Sequence, residues 1–363
     1  MKKSNPTAGR IIRLVIATLS VVISVKVFSM IVGTGPNDYT YFIRPSTLSW
    51  LKGETNLFDQ TAEGFYFMPW SVLLFAPTLL VPPEIGQGML SVLTLVGVLM
   101  AIKIFGEGLP LWIKGLAATP FALFILLITG NIDGVVLLGI CISWWAIKSH
   151  QPFLLSAGLW LTTLKPINTL PLLLFVFLFT WHWSWRDKLS AISLVLVSVI
   201  ISFPVFGYDW PIRYLQFFNA APPLEFPIVT IWKLGNQLNL PPLLMLVPTL
   251  FIIASSTIGI YRFGLGVETF ALTSAAWMIV TPYALDIHYV LLIPAFLTVA
   301  RYLKGAAVFS YVSSYLPLLR IPFGFEISNI DLIYPISLWV GSSYFLYASK
   351  PTPPATTIHM DTS

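Results

Sequence analysis

Long apolar runs separated by short polar corners set the pattern of this chain. The runs cover residues 11–32, 67–81, 85–102, 111–129, 135–147, 153–179, 189–206, 242–261, 270–285, 289–300, 306–319 and 332–348. A helix that crosses lipid needs about 20 apolar residues, within a range of roughly 17–25. Several runs meet that length and others fall short. Strand-length alternation of apolar and polar positions is absent, which argues against a membrane β-barrel. The pattern predicts an all-α fold, a polytopic transmembrane helical bundle of about ten to twelve hydrophobic helices. Proline lies within or at the ends of many runs, at Pro77, Pro120, Pro166, Pro171, Pro204, Pro248, Pro282 and Pro294. Such breaks are tolerated where neighbouring helices satisfy the freed backbone groups, so some helices are expected to be broken or re-entrant. The run 153–179, interrupted at Lys165-Pro166, reads as two half-helices.

The two longest polar stretches are 34–65 and 207–241. In the first, Tyr39, Phe42, Leu48, Trp50 and Leu51 alternate at roughly helical spacing with Arg44, Ser46, Thr47 and Lys52. That spacing predicts a short amphipathic helix lying in the interface, closed by Gly53. The Pro/Thr-rich stretch 351–363 is expected to be disordered, leaving 1–350 as a single integral-membrane domain.

Composition agrees with lipid as the main solvent. The chain has 363 residues, 56% hydrophobic and 10% charged, against about 25% charged in soluble domains, and its mean hydropathy is +0.83. The lone Cys141 excludes an internal disulfide, and no Cys/His metal pattern occurs. The net charge of +5 is too small and too scattered for a nucleic-acid partner. Lys2, Lys3, Arg10 and Arg13 precede or open the first run, which is longer than the roughly 7–15 residues of a signal-peptide core. An uncleaved first span with a cytoplasmic N-terminus is expected, in a multi-pass plasma-membrane protein. The basic clusters 148–150, 186–188 and 301–304, with Arg262, belong inside by the same rule. Then 34–65, 207–241 and the corner 286–288 fall outside. The middle does not close: if every run crosses, Lys148 lands outside. One of 67–81, 85–102 or 111–129 must therefore be re-entrant or miscounted as a crossing.

Asp38 then sits at the outer mouth of the bundle. The outer loops also offer the cations Arg44, Arg213, Lys233 and His288, with Asp286 beside the last, and the rings Trp50, Trp70, Trp210 and Trp232. Asp59 is either a second acidic contact or a cap for the turn before Thr61. Asp133 reads as a helix N-cap or a substrate contact. Lys165 carries the costliest charge by location, about 2.5–3.5 kcal/mol at a helix centre on insertion scales; a structural role is favoured for it.

Several short motifs occur in order. They are Asp38-Tyr39, then Gly53 with Leu57-Phe58, Phe67-Met68-Pro69, Gly130-Asn131-Ile132-Asp133, Leu164-Lys165-Pro166, Thr230-Ile231-Trp232, and Thr281-Pro282-Tyr283 followed by Asp286, Tyr289 and Pro294. In these the chain resembles the multi-span GT-C glycosyltransferases, most closely the polyprenyl-phosphate-mannose-dependent mannosyltransferase family and its bacterial relatives. It departs at Met68-Pro69-Trp70, where many relatives carry Tyr-Pro-Pro. The resemblance implies a cell-envelope enzyme moving a hexose from a polyprenyl-phosphate sugar to an extracytoplasmic glycolipid, glycan or protein acceptor, with inversion. By position it assigns the general base to Asp38. Its substrate contacts are expected among Arg44, Asp59, Arg213, Trp232, Lys233, Asp286, His288 and Tyr289. No cofactor is implied beyond the lipid-linked donor, although two carboxylates at the mouth leave room for a divalent ion. The competing readings are a transporter or lipid flippase, which also uses broken helices, and a non-catalytic membrane subunit.

Overall fold

Helices in this protein start and stop where the sequence places proline, glycine and charge. The computed structural model describes residues 23–27, 29–30, 38–54, 56–58, 65–220, 228–319 and 325–348. The expected tail 351–363, most of the first run and Asp59 lie outside them. Among the described residues the fold is all-helical, with no strand. A π-helical turn, Tyr39–Ile43, leads into α1 (Arg44–Leu51). A 3-10 turn, Pro69–Ser71, opens α2 (Val72–Leu79). Then follow α3 (Pro83–Phe105), α4 (Leu111–Ala117), α5 (Phe121–Thr129), α6 (Asp133–Lys148), α7 (Pro152–Thr162) and α8 (Pro166–Phe179). The second half holds α9 (Trp185–Phe206), α10 (Trp210–Ala220), α11 (Ile231–Gln237), α12 (Pro242–Phe263) and α13 (Val267–Val280). A 3-10 stretch, Asp286–Leu292, leads to α14 (Ile293–Tyr302), with α15 (Lys304–Ser313) and α16 (Ile333–Ala348) beyond it.

By length and composition α3, α9 and α12 are apolar enough to cross a membrane; α4 and α5 make a fourth crossing if their 44° bend is one broken span. The run 153–179 is two helices, as its Lys-Pro break predicts.

The contacts define two ends of the bundle. At one end, Tyr39, Thr78, the start of α3, the end of α5 and the starts of α6 and α8 meet. The Tyr39 hydroxyl donates to the Thr78 carbonyl at 3.1 Å, and Gln87 Nε2 donates to the Ile128 carbonyl at 2.7 Å. At the other end, Phe105, Trp144, Phe179 and Phe270 form a ring cluster joining α3, α6, α8 and α13. There Arg301 donates to the Phe105 carbonyl at 3.2 Å.

This geometry identifies the element that breaks the crossing count. Met68, just before α2, donates its backbone N–H to the Leu164 carbonyl at 3.1 Å, and Thr78, near the end of α2, meets Tyr39. Both ends of α2 therefore touch the same end of the bundle, and the apolar run 67–81 does not traverse it.

Close packing sets the depth of α6. A side-chain carbon on Gly97 of α3 would meet the Gly134 carbonyl at 2.3 Å, and one on Gly139 would meet the Gly158 carbonyl of α7 at 2.8 Å. Small residues at helix seams let backbones approach, as membrane bundles favour.

A separate small core gathers around the loop end of the bundle. Phe65, Phe67 and Phe75 form an edge-to-face triangle at 5.5–6.1 Å, each pair contributing about 0.5–1.5 kcal/mol beyond burial. The predicted interfacial helix forms as α1 and closes at Gly53, whose φ is +73°. Its buried residues are Ser46 and Thr47, with Ile43 buried just before it, and Trp50 stacks on Phe206 at 4.7 Å. It packs on the bundle end and leaves Leu51 exposed.

Candidate functional site

The Asp38-Tyr39 pair is fixed through its tyrosine. Tyr39 is fully buried, and Gly86 makes room for it, since a side-chain carbon there would lie 2.2 Å from its hydroxyl. Arg44 Nη1 donates to that hydroxyl at 3.2 Å and to the Thr78 carbonyl at 3.0 Å. The clasp holds the π-helical turn against α2 and aims the neighbouring Asp38 inward. Single-turn π-helices recur at functional sites.

Asp38 Oδ2 accepts a hydrogen bond from Asn131 Nδ2 at 2.6 Å. Asn131 follows Gly130, which ends α5 in the left-handed region at φ +68°. A side-chain carbon on Gly130 would meet Gln87 Cγ and Tyr39 Cβ, each at 2.9 Å. Only glycine provides both the backbone turn and the close approach that bring Asn131 against Asp38.

Behind Asn131 lies a buried ion cluster. Lys165 Nζ donates to Asn131 Oδ1 at 2.8 Å and to both Asp133 oxygens at 3.0 and 3.2 Å. His288 Nδ1 lies 2.6 Å from Asp133 Oδ2. A carboxylate partner fixes the proton on Nδ1, which donates. The remaining ring nitrogen, Nε2, is buried with no hydrogen-bond partner among the described residues. The Phe67 ring sits 5.4 Å from the Lys165 ammonium, and the Tyr283 ring 5.8 Å from that of His288. Asp133 is wholly buried, and His288 is 1% exposed. Buried charges persist when they are paired and hydrogen-bonded, and every charge here has such a partner.

Asp38 lies in the first loop, outside the apolar runs. Burial raises its carboxyl pKa above the usual 3.8; the Asn131 hydrogen bond and the Lys165 charge pull it back, while Asp133 adds to the rise. An acid of this kind is a better proton acceptor than a solvated aspartate.

Two of the expected site residues, Asp38 and His288, thus share one cluster. Asp286 begins the 3-10 stretch, and its Oδ1 accepts the Ile287 N–H at 2.8 Å. Tyr289 points into the main core, its ring 5.6 Å from that of Tyr334. Trp232 Nε1 donates to the Val280 carbonyl at 2.8 Å, bracing α11 against the corner that carries His288. Arg44 is committed to the Tyr39 clasp, and Arg213 pairs with Asp209 on α10. Lys233 takes the Thr230 hydroxyl with its backbone N–H, and the cluster is built without it. Trp70 and Trp210 are buried against each other at 6.3 Å, not open platforms as the loop sequence implied.

One reading is corrected. Asp133 is not the N-cap of α6, which is Ile132 with no side-chain cap; its carboxylate belongs to Lys165 and His288. Asn131, Asp133 and Lys165 are the residues that sequence reasoning left outside the site. The signal was two opposite charges at membrane depth, each costly unless the other is its partner.

Comparison of the chain with family models, with curated proteins and with solved structures finds no match.

Proposed function

We propose that this protein is a membrane glycosyltransferase that moves a hexose from a polyprenyl-phosphate donor to an extracytoplasmic acceptor with inversion, Asp38 acting as general base. The single observation that carries this reading is convergence. Four short motifs far apart in sequence, at Asp38-Tyr39, Phe67-Met68-Pro69, Gly130-Asn131-Ile132-Asp133 and Leu164-Lys165-Pro166, meet the Asp286–His288 corner around one half-buried carboxylate. These are the stretches in which the chain resembles GT-C transferases.

The fold is read as a polytopic bundle of about ten to twelve hydrophobic helices with the N-terminus in the cytoplasm. Basic residues support the orientation. Lys103, Lys148, Arg262 and Arg301 each occupy the last turn of a helix, at the end away from Asp38. By the positive-inside tendency that end faces the cytoplasm, and the Asp38 cluster faces out.

The chemistry follows from what an inverting transfer needs. The acceptor hydroxyl attacks the anomeric carbon from the side opposite the phosphate. Its proton passes to the Asp38 carboxylate, and the sugar–phosphate C–O bond breaks with its electron pair left on the phosphate. General-base help is worth roughly 10²–10⁴-fold. The departing phosphate needs a cation or hydrogen-bond donor within reach.

Membrane glycolipids and glycans, profiled by mass spectrometry with the wild-type chain and with Asp38→Asn, test the reading. A hexosylated product present with wild type and missing with a normally inserted Asp38→Asn chain is the expected result. Identical profiles would remove Asp38 from the mechanism.

A further inference from the structure

Asn131 is held more firmly than its place in a short corner requires. Its Oδ1 accepts two N–H groups, from the Ile132 backbone at 2.7 Å and from Lys165 Nζ at 2.8 Å. Rotating the amide by half a turn would point its NH2 at both donors. The orientation is therefore fixed by chemistry: the oxygen faces Lys165, and Nδ2 faces Asp38 Oδ2 at 2.6 Å. Asp133 in turn holds Lys165 through both carboxylate oxygens. Among the described residues one hydrogen bond reaches the Asp38 carboxylate, and it falls on Oδ2, leaving Oδ1 without one.

A carboxylate that turns freely offers either oxygen to an incoming hydroxyl, whereas one with a single oxygen engaged offers the other in a set direction. We propose that Asn131 is a positioning residue for sugar transfer, reserving Oδ2 of Asp38 and leaving Oδ1 as the one oxygen that receives the acceptor's proton. This rests on the reading of Asp38 as the base. In the step itself the acceptor O–H bond breaks, its electron pair forms the new bond to the anomeric carbon, and the proton ends on Oδ1. The phosphate leaves with the electrons of the broken C–O bond. Asn131 carries no proton. It donates to the charged form of Asp38, which opposes the effect of burial and keeps the carboxylate available as a base. Lys165 and Asp133 act one contact further back, holding the amide that holds the base.

The test needs a readout that a purely structural asparagine would leave unmoved. Dicyclohexylcarbodiimide modifies protonated carboxyl groups in apolar surroundings. Its adduct on Asp38, measured by mass spectrometry of the full chain in detergent across a pH series, reports where that group titrates. Asn131→Asp keeps the shape and the oxygen that Ile132 and Lys165 use, replaces the donor toward Asp38 by an acceptor, and adds a carboxylate charge beside it. Asn131→Ala removes the side chain altogether. In both variants the labelling midpoint is expected to move to higher pH, by about one unit or more. Cleavage of polyprenyl-phosphate hexoses is expected to show a lower kcat with donor KM little changed, the signature of a contact that matters in the transition state. Because the added charge of Asn131→Asp raises the midpoint by itself, Asn131→Ala decides: an unmoved midpoint in that variant overturns the positioning role. If Asp38→Asn is inactive in that same experiment, the proposed function survives the loss; if Asp38→Asn still cleaves donor, Asp38 is not the base, and a wild-type chain that cleaves no donor overturns the function itself.

Discussion

At the scale of the residue, the site places one acid under strain and one ion pair in apolar surroundings. Burial raises the Asp38 pKa above 3.8, so the folded protein binds that proton more tightly than the unfolded chain does. The stability this gives is present below the unfolded value and is lost as pH rises through the folded one. Asp38→Asn removes the charge. It is therefore expected to raise the melting temperature at neutral pH while abolishing transfer, with the gain shrinking as the solution is acidified. Thermal unfolding in detergent across pH measures this, and a lower melting temperature at neutral pH would contradict it. The acidic limb of the transfer rate should correspondingly lie above 3.8, because the base is lost on protonation. Lys165 carries the opposite risk. Lys165→Met leaves Asp133 buried without its ammonium, a change that costs about 3–5 kcal/mol when one partner of a buried pair is removed. A loss under about 1 kcal/mol, the range of an exposed pair, would mean the pair does not hold this corner together.

At the scale of the element, the glycine that ends α5 links helix geometry to chemistry. Gly130→Ala must place a side chain at φ +68° and against Tyr39 and Gln87. The left-handed conformation alone costs roughly 1–2 kcal/mol, and the contacts add displacement of Asn131. Gly53→Ala is the control, since Gly53 has φ +73° with open space around it. Both variants are expected to lose stability, but only Gly130→Ala should lose transfer; equal activity in the two would mean the α5–α6 corner does not position the base. Helix limits were largely legible in the sequence because proline and glycine act locally. The break at Lys165-Pro166 and the stop at Gly53 follow from backbone chemistry that needs no partner. Partnerships were less legible. Asp133 looked like a cap because capping is the commonest local use of an aspartate at a helix start, and its true partners lie 32 and 155 residues away. Arg44 looked available because nothing near it in sequence revealed the Thr78 carbonyl; the partner of Arg213, Asp209, lies only four residues away and was legible.

At the scale of the whole molecule, the account depends on which side of the membrane the cluster faces. If α2 does not cross and α4 with α5 make one broken span, Lys148 falls inside. Single cysteines in a Cys141→Ser background test the result: Lys52→Cys near Asp38 should react with an impermeant maleimide added outside intact cells, and Lys148→Cys only after permeabilisation. The reverse pattern would invert the topology. The most direct test follows the donor itself. Purified chain in vesicles, given polyprenyl-phosphate hexoses, is expected to release polyprenyl phosphate and transfer the sugar, with the rate falling roughly 10²–10⁴-fold in Asp38→Asn. Donor that crosses the bilayer intact, with no phosphate released and no dependence on Asp38, would contradict the account and favour transport.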